Sequence, residues 1–247
     1  MLKKNLIVIV TVLYLSPEVF AENKTIIIST TNWAPYTDKK LKNGGFLSEI
    51  CMEAFKKAGY NTKILFVPWR RAVKMTKEGY FHALIGASYT KKRIEYFSYP
   101  RYNWKSSVHF FARKGHKFKF NKIKDLCPLR IGMFAGSFYI KRFKSYNCFN
   151  IEAVPTTQQN IKKLVLNRID LFLDFKDSVN FYLNKELKEY ASQVEPVYPA
   201  LETDKIYLVI SKKLKNYIKV RDDFDKGIDM VKSNGVYNKI LKNHGIH

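Results

Sequence analysis

Ser88-Tyr89-Thr90-Lys91 has the Ser-x-x-Lys spacing that places a lysine amine beside a serine hydroxyl, as in the acylating site of β-lactamases. The companion Ser-Asp-Asn and Lys-Thr-Gly elements are absent, and in a chain with 44 Lys+Arg one such spacing arises by chance. The three cysteines are the next candidates. Cys51 falls on the apolar face of a helical pattern with Leu47, Ala54 and Phe55, so it reads as a buried thiol packing as a small hydrophobe. Cys127 and Cys148 each stand just before an expected strand, over 130–134 and 151–154. If those strands are parallel neighbours joined by a helix, both cysteines lie at one sheet edge, where a disulfide is geometrically feasible. No CxxC or paired Cys/His spacing suggests zinc, and His244 with His247 reads as a chain end rather than a ligand pair.

These residues sit in a chain of 247 residues that is 46% hydrophobic, 15% aromatic and 26% charged, which excludes a disordered or fibrous class. Lys3-Lys4, the apolar run 6–15, Pro17 and Val19-Phe20-Ala21 have the three parts of a secretory signal peptide over 1–21, cleaved after Ala21. The run is too short to span a bilayer. With no cysteine near the cleavage site, the expected product is periplasmic and free rather than lipid-anchored. Export makes a disulfide chemically reasonable.

Beyond the leader, β-branched apolar runs alternate with helical periods. The pattern predicts strands over 25–29, 63–67, 81–87, 107–112, 130–134, 151–154, 169–173 and 206–210. Helices are predicted over 46–58, 70–77, 138–145, 158–167, 178–183, 217–231 and 237–243. Such alternation implies an α/β protein with mostly parallel sheets flanked by helices, and the Lys/Phe-rich stretch after Gly115 marks a seam between two lobes. The net charge of +23 raises nucleic acid or anionic lipid as partners. Its lysines, however, are scattered in pairs such as Lys56-Lys57, Lys91-Lys92, Lys162-Lys163 and Lys212-Lys213, the pattern of a solvated surface, so no nucleic-acid partner is expected.

The chain resembles the family 3 extracellular solute-binding proteins, the polar amino-acid receptors of ABC importers. The carriers are Asn32-Trp33-Ala34-Pro35-Tyr36, Gly45-Phe46, Val67-Pro68-Trp69-Arg70-Arg71 and Gly86-Ala87-Ser88-Tyr89-Thr90-Lys91-Lys92-Arg93 running into Phe97-Ser98-Tyr99-Pro100. Gly136-Ser137, Arg168-Ile169-Asp170 and Gly235-Val236-Tyr237 continue the series. The resemblance implies a type II periplasmic-binding-protein fold, with lobe 1 over 22–112 plus 208–247 and lobe 2 over 113–207. Crossover strands near 111–114 and 205–209 would act as hinges around an interlobe cleft. It further implies a monomer that delivers a small carboxylate-bearing solute, such as an amino acid, to an ABC permease, without a cofactor or catalysis. The same fold also hosts dehydratases of prephenate-like acids and sensory binding proteins, and both remain alternatives.

In that family an Arg at Arg93 and a hydroxyl at Ser88 hold the ligand carboxylate, a guanidinium fork being matched to it. Trp33 and Trp69 stand where aromatic rings sandwich the ligand. Without the resemblance, Arg93 could pair with Glu95, and either tryptophan could be core. Arg70 and Arg71 could add positive potential to the cleft or simply solvate the helix they open, and His82 is assigned no role. Basic-amino-acid binders carry an acid at the position of Thr30, so a lysine or arginine ligand is disfavoured. Phe138 replaces a second-lobe hydroxyl, for which Ser137 can substitute at a helix N-terminus. The usual amine anchor position holds Phe175, with Asp174 one place earlier, a shift that turns a side chain over on a regular strand.

Overall fold

The computed structural model describes residues 24–246 except 117, 119 and 121. The expected leader, 1–21, and His247 lie outside the described residues. The first half opens with β1 (Thr25–Thr30), α1 (Phe46–Lys57), β2 (Asn61–Phe66), α2 (Trp69–Lys77), β3 (Ala83–Ser88) and the two-residue β4 (Phe97–Ser98). After β5 (Trp104–Arg113) come β6 (Arg130–Phe134), α3 (Tyr139–Lys144), β7 (Asn150–Val154), α4 (Thr157–Val165), β8 (Leu171–Phe175), α5 (Lys176–Lys185) and β9 (Val194–Pro196). β10 (Glu202–Ser211) returns, and α6 (Tyr217–Ser233) and α7 (Val236–Asn243) complete the first half.

The strands form one curled mixed sheet in the order β2-β1-β3-β10-β5-β8-β6-β7. β1 is parallel to β2 and β3, and β6 is parallel to β7 and β8. Each parallel set ends on an antiparallel strand, β10 on β3 and β5 on β8. Those two strands pair with each other, Trp104 opposite Ile206 and Val108 opposite Glu202. Beyond that stretch Phe111 pairs with Phe172 and Pro196, so β5 is shared along its length between β10 and the strands β8 and β9.

Helices cover both faces, as a buried parallel sheet requires. In the first half Ile28, Phe46, Phe55, Ile85 and Phe224 form one core, joined across α1 and α6 by the Phe55 and Phe224 rings at 4.9 Å. The opposite face is closed by Ala72 and Val73 of α2 over Leu84 and Val209. The second half is sandwiched likewise, Ile161 and Val179 against Phe172 on one side, Phe143 and Met133 against Phe110 on the other. Cys51 is fully buried within the first core, and burial pushes its thiol pKa well up.

β6 and β7 are parallel neighbours with α3 between them, and Cys127 and Cys148 are bridged with their Cα atoms 5.5 Å apart. The bond spans 21 positions. By chain entropy it contributes roughly 3 kcal/mol. Intact-mass analysis of exported protein should show two cysteines protected from alkylation until reduction, with Cys51 the remaining thiol, and reduction should lower the melting temperature. Three alkylated thiols in unreduced protein would contradict the pairing.

Candidate functional site

The cleft is built where strand ends of the two halves face each other. Trp33 follows β1 in a turn closed by Thr37 N–H on Trp33 O (3.0 Å). Trp69 opens α2 directly after Pro68. Both rings lean over Gly86, whose φ of +103° favours glycine; a Cβ there would lie 3.5 Å from Trp69 and 3.7 Å from Trp33. Arg93 lies in a short 3-10 turn after β3, with its guanidinium 5.6 Å from the Trp69 ring centre. It donates to Ser88 O at 2.8 Å rather than pairing with Glu95. Burial lowers its pKa, and Tyr99 and Asp204 nearby act in the opposite sense.

From the second half come Phe134, the 136–139 turn, the start of α4, and the end of β8. Trp33, Trp69, Ser88, Arg93, Ser137 and Asp174 all line one cavity of about 90 Å³ between the halves. Of the lining residues, Arg93 is the sole cation and Asp174 the sole carboxylate, and they belong to opposite halves.

Asp174 accepts from the Thr157 hydroxyl (2.7 Å) and from Phe175 N–H (2.8 Å), and burial pushes its pKa up to about 6. Phe175 also lines the cavity, with its ring 5.1 Å from Trp33. Both residues belong to β8, with Asp174 opposite His109 and Phe175 opposite Val108, and Phe175 is also the N-cap of α5, where the strand ends. Ser137 stands two residues before α3. α3 begins only at Tyr139, and the Ser137 hydroxyl accepts from Tyr139 N–H at 3.2 Å. Thr30 is buried, its hydroxyl directed to Ile85 O and Thr37 at 3.2 Å each.

Ser88 supplies the main surprise. Its hydroxyl donates to Asp204 Oδ2 at 2.7 Å, not to Lys91, which is exposed, so the Ser-x-x-Lys spacing forms no dyad. Asp204 lies on β10 in the stretch that pairs with β5; burial raises its pKa, opposed by Ser88 and Arg93. With its proton committed to Asp204, Ser88 offers lone pairs rather than a donor to a further partner. Sequence reasoning missed Asp204, whose Glu-Thr-Asp-Lys surroundings carry no apolar alternation. It also missed the role of Gly136, where a Cβ would lie 2.2 Å from Trp69 Cδ1. That glycine lets the halves meet.

Beside the crossover, Tyr36 donates to Ser106 Oγ at 2.8 Å, and Ser106 donates to Asp177 Oδ2 at 2.8 Å. Ser178 donates to Ala34 O at 2.8 Å. The 33–36 loop thus ties the first half to β5 and to α5, with Ala34 inside the second half's core.

Residues 26–246 match the model of the bacterial extracellular solute-binding proteins, family 3. The chain belongs to that family. No curated protein matches its sequence. Among solved structures, the GluR0 ligand-binding core from Nostoc punctiforme in complex with L-glutamate is 18% identical at a TM-score of 0.75, over 88% of this chain and 98% of that one. A histidine kinase sensor domain with similarity to periplasmic binding proteins is 15% identical at 0.76, over 90% and 96%. An amino acid ABC transporter substrate-binding protein from Streptococcus pneumoniae, bound to L-arginine, is 15% identical at 0.74, over 89% and 94%. Identities this low establish the solute-binding-protein fold and leave the ligand to this chain's own residues.

The buried Asp174 has a measurable consequence. Its folded pKa of about 6 stands above the ordinary 3.8, so between those values the folded protein holds the proton more tightly than the unfolded chain. The carboxyl's contribution to stability is therefore full below 3.8 and is lost as pH rises toward about 6, on the order of 2 to 3 kcal/mol in all. Denaturant titrations across that window should show Asp174→Asn losing less stability than wild type. Parallel curves for the two proteins would contradict this.

Proposed function

We propose that the protein captures a small zwitterionic carboxylate, an amino acid or close relative, in the cleft and presents it to an ABC permease. The observation that carries this is the charge count of the cavity: one guanidinium from the first half, one carboxylate from the second, and aromatic walls between. A ligand carboxylate on Arg93 and an ammonium directed to Asp174 would bridge the halves and favour closure, which is how binding becomes a conformational signal. Trp33, Trp69 and Phe175 supply apolar area, and Ser88 supplies an acceptor beside Arg93. Ser137 borders the site, with its hydroxyl already accepting from Tyr139 N–H.

Catalysis on a prephenate-like acid fits less well. A dianion would meet one arginine, with Asp174 and the Asp204 behind Ser88 opposing its second charge. Transport and sensing both begin with the same capture. The leader-like N-terminus and the family's extracellular setting support a periplasmic receptor, which in this reading works as a monomer through hinge movement at the β5–β10 pairing. The lobes proposed here therefore meet near 104–108 and 202–206, within the strand pairing.

A thermal-shift screen of common L-amino acids against their deamino analogues and small dicarboxylates should identify zwitterions as the stabilising class. With the best of these, calorimetric titration of Arg93→Ala should show binding weakened roughly 30- to several-thousand-fold, the cost of unpairing a buried charge. Arg93→Lys should also bind worse, because an ammonium lacks the fork. The fold should survive, since Ser88 O keeps Tyr99 OH as a donor at 3.1 Å. Unchanged affinity in Arg93→Ala, or stabilisation by dicarboxylates alone, would overturn the reading.

A further inference from the structure

If Arg93 and Asp174 take the α-carboxylate and α-ammonium of an amino acid, its side chain is left to the other residues of the cavity. None of those is charged among the described residues. Most of the polar ones are already hydrogen-bonded within the protein. Thr157 donates to Asp174 at 2.7 Å, the Tyr139 hydroxyl donates to Glu202 at 2.6 Å, and Gln158 donates to Glu186 at 3.2 Å. Ser137 accepts from Tyr139 N–H, and Thr156, the N-cap of α4, accepts from Gln159 N–H at 3.2 Å. Asn32 is exposed, and its Oδ1 accepts from Lys39 N–H at 3.2 Å. Against these stands an apolar wall contributed by both halves, Trp33 and Trp69 from one and Phe134, Phe138, Leu173 and Phe175 from the other.

A charged side chain would bring a third charge into a desolvated space that holds no counterion for it. An amide or hydroxyl would exchange water for groups that already have partners, which leaves its own hydrogen bonds unmet. An apolar side chain incurs neither cost and gains from burial against the rings. Two of those rings stand where a polar group would otherwise meet the ligand. Phe175 is next to Asp174 and reaches Trp33 across the halves at 5.1 Å, and Phe138 is next to Ser137 with its ring 4.2 Å from that of Tyr139. We infer that the bound amino acid carries an uncharged, apolar side chain, and that Phe138 and Phe175 impose this choice. The inference deepens the receptor reading above and rests on it.

Methionine, glutamine, glutamate and lysine have side chains of similar length that differ in polarity and charge, so comparing them separates shape from chemistry. Calorimetric titration of the protein with these four, with leucine and phenylalanine, and with deamino methionine tests the inference. The tightest-binding apolar acid should bind roughly tenfold or more tightly than glutamine, and roughly a hundredfold or more tightly than glutamate and lysine. In Phe138→Asn and Phe175→Asn the ratio of apolar to glutamine affinity should fall several-fold. A ratio taken within one protein is not moved by a general loss of stability, and Asn is a favoured N-cap for α5 at position 175. Glutamine, glutamate or lysine binding as tightly as the best apolar acid would overturn the inference and leave the receptor reading standing. An unchanged ratio in both variants would overturn the assignment to the two rings. Binding of deamino methionine without any of the zwitterions, or of none of these compounds, would overturn the receptor reading and this inference with it.

Discussion

The pairing of β5 with β10 is the constraint from which the cleft follows. Each strand is antiparallel to one parallel set and also pairs with the other, so the chain passes twice between the halves at a single place. That place brings Asp204 within 2.7 Å of Ser88 and puts Ser106 between Tyr36 and Asp177. It also lets the strand ends of both parallel sets open toward a common space, where side chains of Arg93 and Asp174 can belong to one cavity. In open α/β sheets, ligands gather at such strand ends because loops there are free to vary while the sheet stays fixed.

The electrostatics of that space are unfavourable in isolation. Arg93 loses hydration and is left with the Ser88 carbonyl, the face of Trp69 and a carboxylate that is already receiving a serine proton. Asp174 is buried with a hydroxyl and an amide as donors, and no cation neutralises it at hydrogen-bonding distance among the described residues. We propose that these two desolvated, opposite charges, one from each half, form a site whose unmet interactions a zwitterion can satisfy. Such a ligand would be selected by charge arrangement first and by the aromatic walls second.

Much of this was legible in the sequence where local pattern and tertiary role coincide. The strand–helix alternation, the edge position of Cys127 and Cys148, and the inward face carrying Cys51 follow from periodicity alone. The cleft residues came from ordered motifs, and the structure gathers them into one cavity. The pairing of β5 with β10 was not legible, because the apolar run from Val108 to Ala112 reads as a strand by itself while the paired Lys105-Ser106-Ser107 is polar. Asp204 was invisible because Glu-Thr-Asp-Lys has no apolar residue to mark the inward face, although burial alternates along this part of β10. The short β4 and β9 are strands by virtue of their partners, not their composition.

The central claim is that opposite charges on opposite halves select a zwitterion. The most direct measurement is mass spectrometry of the solute released on denaturing protein purified from its own cell envelope without added ligand. The account predicts one predominant small molecule carrying a carboxylate and an amine, near one equivalent per chain, and largely lost from Arg93→Ala. A solute with two acidic groups and no amine, or a neutral one retained equally by the variant, would contradict it.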